Sequence, residues 1–152
     1  MTTKSPHRLH RVARVMGREQ EQAGRRLAEL RDALTESERQ LEVLRGYVES
    51  YSGKAGASAE ERMRISSTQE LQNYSNFLTQ LNQAVRQQET HVVGAQRAFD
   101  SQIQTWKQAR ARTRSIEKVA DRHADADQRH QERREQRELD DLVLRRHFEP
   151  AI

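Results

Sequence analysis

Apolar side chains recur alternately three and four residues apart in two arrays along this chain, one on each side of a glycine-containing break. The first array is Leu9, Ala13, Met16, Gln20, Ala23, Leu27, Leu30, Leu34, Ser37, Leu41, Leu44, Val48 and Tyr51. The second is Leu71, Tyr74, Leu78, Leu81, Val85, Gln88, Val92, Ala95, Phe99, Gln102, Trp106, Ala109, Thr113, Ile116 and Ala120. An average step of 3.5 residues keeps each set on one narrow helical stripe. A strict heptad drifts against the 3.6-residue turn, so two such helices wrap left-handed around each other. The pattern predicts an all-α fold, a long antiparallel two-helix coiled coil in the form of a helical hairpin, with an extended C-terminal helix.

The spacing places helix 1 over about 9–52, and SGKAGAS at 52–58 then interrupts it. Gly53 and Gly56 each cost a helix about 1 kcal/mol. The turn is expected at about 53–60, reaching 66 if the later of two capping boxes starts helix 2: Ser58 with Glu61, or Ser67 with Glu70. Helix 2 then runs over about 61–148, and residues 1–152 form a single coiled-coil domain. A fold-back near residues 57–59 pairs positions whose numbers sum to 112–118, which sets Leu9 beside residues 103–109 and leaves everything beyond about Thr113 without a partner. From Asp121 to Asp140 nothing is more apolar than alanine except Leu139, so this polar overhang is expected to fray or to await a partner. Pairs such as Glu132 with Gln136 support such a helix by only about 0.2–0.5 kcal/mol each. Leu139, Leu142, Val143 and Phe148 then restore an apolar face on a basic helix, a pattern that suits docking.

Composition agrees with a thin seam rather than a thick globular core: 34% of the 152 residues are hydrophobic and 33% charged. The two prolines, at positions 6 and 150, bracket both arrays. With no cysteine there is no disulfide, thiolate metal site or cysteine nucleophile, and a reducing compartment fits. No stretch has the apolar run of a signal peptide or the roughly 20 apolar residues of a bilayer span, so a soluble cytoplasmic protein is expected. The net charge of +4 is unevenly spread. Residues 1–31 hold eight Lys/Arg against three Asp/Glu, and residues 107–149 hold twelve against ten, so a hairpin brings two basic segments to one end. Such an end attracts acidic surfaces or polyphosphate.

Beside the seam runs a second stripe. Gln40, Leu44, Tyr47 and Tyr51 step by four, three and four residues, and Phe77, Leu81, Ala84 and Gln88 repeat those steps on the other helix. Either Tyr47 and Phe77 widen the core or they form a patch for a partner. Gln20 and Gln88 stand at seam positions, where a polar residue commonly sets register. Among the histidines, His123, Asp127 and His130 share one helical face, but they lie in the polar overhang and make too few ligands for a structural metal site. No phosphate loop, activated nucleophile or carboxylate pair in a cleft can be assembled on a two-helix hairpin, so no catalytic, cofactor or metal residues and no small-molecule substrate are expected. Arg8, Arg11, Arg14 and Arg18 lie on one stripe that could follow phosphates, which keeps a basic coiled-coil nucleic-acid binder or a homodimeric scaffold as alternatives.

The segments LRGYVESY (44–51) and NYSNFLTQLNQAVRQQE (73–89), the single tryptophan Trp106 and the tail RSIEKVADRHADADQRHQERREQRELDDLVLRR resemble the bacterial flagellar type III export family FliJ over nearly the whole chain. The resemblance implies a non-enzymatic cytoplasmic component of flagellum biogenesis and motility, peripheral to the inner membrane at the flagellar base. It implies an antiparallel coiled coil like the central stalk of rotary ATP synthases, with no cofactor and no nucleic-acid partner. The implied partners are the hexameric flagellar export ATPase, which the end carrying both termini enters and stimulates, the cytoplasmic domain of the membrane export gate, and export chaperones that are recycled. The family's gate-binding patch falls on Gln40, Leu44, Tyr47, Tyr51, Phe77, Leu81, Ala84 and Gln88, with Gln88 standing where a histidine is expected. Charge and position nominate Arg8, Arg11, Arg14, Arg18, Arg129, Arg133, Arg134 and Arg137 for the ATPase contact. The stalk proteins of virulence type III systems share this architecture and are the nearest alternative.

Overall fold

The computed structural model describes residues 6–57 and 68–148. These form two helices, α1 over Pro6–Ala57 and α2 over Thr68–Phe148, and the described residues contain no strand. Pro6 opens α1, where its fixed φ and missing N–H cost nothing. Gly53 does not end α1, which continues to Ala57; the helix absorbs the glycine penalty. The expected turn beyond residue 57 and both expected N-caps, Ser58 and Ser67, lie outside the described residues, while Glu70 stands in the first turn of α2, where a carboxylate favours the helix dipole.

The two helices pack against each other as an antiparallel hairpin along the anticipated stripes. Every member of the first array is at least half-buried except Tyr51, and every member of the second except Leu71. Among the described residues, full burial is confined to Leu34, Leu41, Ala120 and Thr113. A two-helix seam covers each side chain from one direction only, so half-burial is its normal state.

The register differs from the expected one. Across the helices, the Tyr74 hydroxyl donates to the Tyr51 carbonyl, Gln88 Nε2 to the Ser37 carbonyl at 2.9 Å, and Gln102 Nε2 to the Ala23 carbonyl at 3.2 Å. Each of these pairs sums to 125, one heptad above the expected upper value of 118. Arg45 and Glu89 add a cross-helix ion pair at 3.2 Å. A fold-back near residues 57–59 is earlier in the chain than these pairs require.

The chain divides into two compact units, Ala23–Trp106 and Met1–Gln22 with Lys107–Ile152. The central unit holds Leu34 and Leu41, the polar bridges and Trp106, whose indole lies against Gly24. In the terminal unit the later register lengthens the covered part of α2. Thr113, Ile116 and Ala120 are all covered, Ala120 to 2% exposure, so cover does not stop near Thr113. From Asp121 to Phe148 every residue is exposed, yet α2 stays helical throughout rather than fraying. Its surface carries Gln-to-acid hydrogen bonds one turn apart: Gln128 to Glu132, Gln131 to Glu135 and Gln136 to Asp140, at 3.3–3.4 Å.

Candidate functional site

The central unit brings most of the second stripe together. The rings of Tyr51 and Phe77 meet edge to face with centroids 5.2 Å apart, an arrangement the aromatic quadrupole favours. Tyr47 and Phe77 are 53% and 43% exposed, so neither is a core residue. Leu44, Leu81, Ala84 and Gln88 are half-buried and form the inner edge of the stripe where it merges with the seam. The result is an aromatic patch of modest size on an otherwise highly charged surface.

One helical turn or two away from the aromatics, a cavity of about 290 Å³ is lined by Gln40, Leu44 and Gln88 together with Val43 and Arg39. Val43 and Arg39 were not among the anticipated residues. The signal for Val43 was available, since it lies three residues after Gln40 and four before Tyr47 on the same stripe. Arg39 could not be read that way, because its place depends on a partner: its guanidinium reaches the two carboxylate oxygens of Glu36 at 2.7 and 2.9 Å. Gln40 Nε2 donates to Glu36 as well, at 3.1 Å. The hydrogen bonds from Arg39 and then Gln40 pull the Glu36 carboxyl from its ordinary 4.5 down to about 2. The same contact raises the Arg39 pKa.

A second, larger cavity of about 610 Å³ is lined by Ala33, Ser37, Gln87, Thr90, His91, Gly94 and Ala95. No Lys, Arg, Asp or Glu stands in that lining. Small residues of both helices line it, and its Ser37 accepts hydrogen bonds from Gln88, which lines the smaller cavity.

The nominated arginines lie in the terminal unit. Arg8, Arg11, Arg14, Arg18, Arg129, Arg133, Arg134 and Arg137 are all exposed. Arg14 and Arg18 line a groove of about 720 Å³ with His10, Ala13, Gly17, Glu21 and Glu117. The exposed apolar residues Leu139, Leu142, Val143, Leu144 and Phe148 follow on the same helix as the C-terminal arginines, at 53–75% exposure. His123, Asp127 and His130 are exposed as well, and among the described residues no group of His, Cys, Asp and Glu could hold a metal ion. No described helix is long and apolar enough to cross a membrane.

A family model described as Flagellar FliJ protein matches residues 5–151, nearly the whole chain. No curated protein and no solved structure matches it.

Proposed function

The chain belongs to the flagellar FliJ protein family, and with it to the flagellar export machinery; from that premise we propose that it is the coiled-coil stalk of the export ATPase and the link from that ATPase to the membrane export gate. In this reading the terminal unit enters the hexameric ATPase and stimulates hydrolysis, while the protein itself carries out no chemistry. The aromatic patch of the central unit binds the cytoplasmic domain of the gate, and empty export chaperones are taken up for recycling. The protein then works in the cytoplasm at the inner-membrane face of the flagellar base.

The observation that carries this reading is the helix from Asp121 to Phe148, in which every residue is exposed. An isolated polar helix gains little from its own side-chain pairs. A continuous uncovered helix with arginines and a terminal apolar cluster is therefore built to be covered by another molecule, and the interior of an ATPase ring offers such cover. Family membership favours the flagellar system over a virulence system.

The test is to add the purified protein to its cognate flagellar export ATPase and follow both mass in solution and phosphate release. Hexamer formation and hydrolysis should both rise. If neither changes, the stalk reading fails.

A further inference from the structure

Gln88 spends its side-chain amide inside the molecule. The nitrogen has two protons and lies within hydrogen-bond distance of three acceptors: the Ser37 carbonyl at 2.9 Å, the Ser37 hydroxyl at 3.0 Å and Gln40 Oε1 at 3.4 Å. Little donor capacity is left for another protein. The amide nitrogen of Gln40 is turned in turn to Glu36 at 3.1 Å, and Glu36 is gripped by Arg39. One half-buried side chain on α2 thus starts a relay that runs through three exposed side chains of α1.

We infer that Gln88 is a positioning residue of the docking patch, a strut that holds Gln40 and through it the Glu36–Arg39 pair along one wall of the Val43–Leu44 cavity. This rests on the gate-binding reading of that patch. Glutamine and arginine on an open helix surface ordinarily sample many rotamers, and binding must then freeze them. Here the freezing is done before the partner arrives. The cavity keeps its shape, with Val43 and Leu44 as its apolar lining and Gln40, Arg39 and the already committed amide of Gln88 as its polar lining, which fits an apolar side chain flanked by backbone polar groups. Position 88 therefore affects affinity through Gln40 and not through contact with the partner.

The inference predicts a particular pattern in a double-mutant cycle on binding of the gate's cytoplasmic domain, measured by calorimetry. Gln88→Met keeps the length of the side chain and removes both donors. Gln88→Met and Gln40→Ala should each weaken binding by about three- to tenfold, and the double variant should be no weaker than the poorer single one. Helicity should be unchanged and the melting temperature of Gln88→Met at or above that of the parent. If the two losses multiply, Gln88 is itself a contact and the strut is overturned; it is overturned equally if Gln88→Met binds like the parent.

A measurement on the free protein separates this inference from the gate reading. In side-chain amide NMR spectra, Gln88→Met should shift the Gln40 amide resonances and remove their protection. Unmoved Gln40 signals overturn the strut even if the gate binds. Shifted Gln40 signals in a protein that does not bind the gate leave the strut standing and remove the gate reading instead.

Discussion

Gln88 on α2 donates its side-chain amide to the main-chain carbonyl of Ser37 on α1 at 2.9 Å, and two heptads further along α2 Gln102 does the same to Ala23 at 3.2 Å. A helical carbonyl already accepts one bond from its own turn, so each glutamine uses the second lone pair of an occupied acceptor. Losing that bond strands no group on α1, while leucine in its place would bury more apolar surface. Gln88→Leu and Gln102→Leu should therefore each raise stability in thermal melts, by about 1 kcal/mol. The accompanying cost is register: native mass spectrometry of the double variant should reveal a dimeric population that the parent lacks. Lower melting temperatures would mean that the bonds outweigh burial.

Gly24 faces Trp106 closely enough that an added Cβ would meet the indole at 3.4 Å from Nε1 and 3.6 Å from Cδ1, ordinary contact distances. Gly24→Ala should then gain helix propensity without strain, about 0.5–1 kcal/mol in denaturant melts. Gly46→Ala and Gly94→Ala, whose new Cβ atoms would meet nothing within 4 Å, should gain as much. Gly24→Ile should instead displace the indole at a loss of roughly 1–3 kcal/mol. The single tryptophan makes the difference visible, because its fluorescence should shift in Gly24→Ile and stay put in Gly46→Ala.

The Glu36 carboxyl should titrate near its lowered value of about 2 when followed by carbon NMR, and Arg39→Ala should return most of it toward 4.5. Because the folded value is depressed, whatever stability the contact adds is complete above pH 4.5 and disappears as the pH falls toward 2. The pair lies on the surface, so its melting signature should be small and screened by salt. A Glu36 midpoint that ignores Arg39→Ala would show that the guanidinium is not the cause.

Tyr47→Ala combined with Phe77→Ala removes two of the three exposed rings of the patch and leaves Tyr51. Circular dichroism should be unchanged and stability should fall by no more than about 1 kcal/mol, chiefly from losing the edge-to-face contact with Tyr51. Binding of the gate domain should drop by at least tenfold. Collapse of the melt would assign the rings to the core.

Ending the chain at Ala120 removes only exposed residues from the described structure, since cover in the terminal unit stops there. The shortened protein should melt within a few degrees of the parent and lose its stimulation of the ATPase. Retained stimulation would move the ATPase contact to α1 and its arginines.

The positions that face the seam were legible in the sequence nearly to the residue, because a 3.5-residue period leaves only one stripe per helix that can be buried. Tyr51 and Leu71, at the ends of their arrays nearest the fold-back, are the two exceptions, at 36% and 40% exposure. The aromatic stripe was legible for the same reason, but whether Tyr47 and Phe77 were core or surface was not, since that depends on how far the facing helix reaches around them. What the sequence by itself determined is the pair of helices and the face each turns inward. Only the tertiary structure decided the register, because sliding one helix by a heptad presents the same stripe to its partner and leaves the pattern unchanged. The choice falls to bonds that span the helices, Tyr74 to Tyr51, Gln88 to Ser37 and Gln102 to Ala23. With that choice came two things the pattern could not supply: cover as far as Ala120, and a glutamine at position 88 that faces its own molecule.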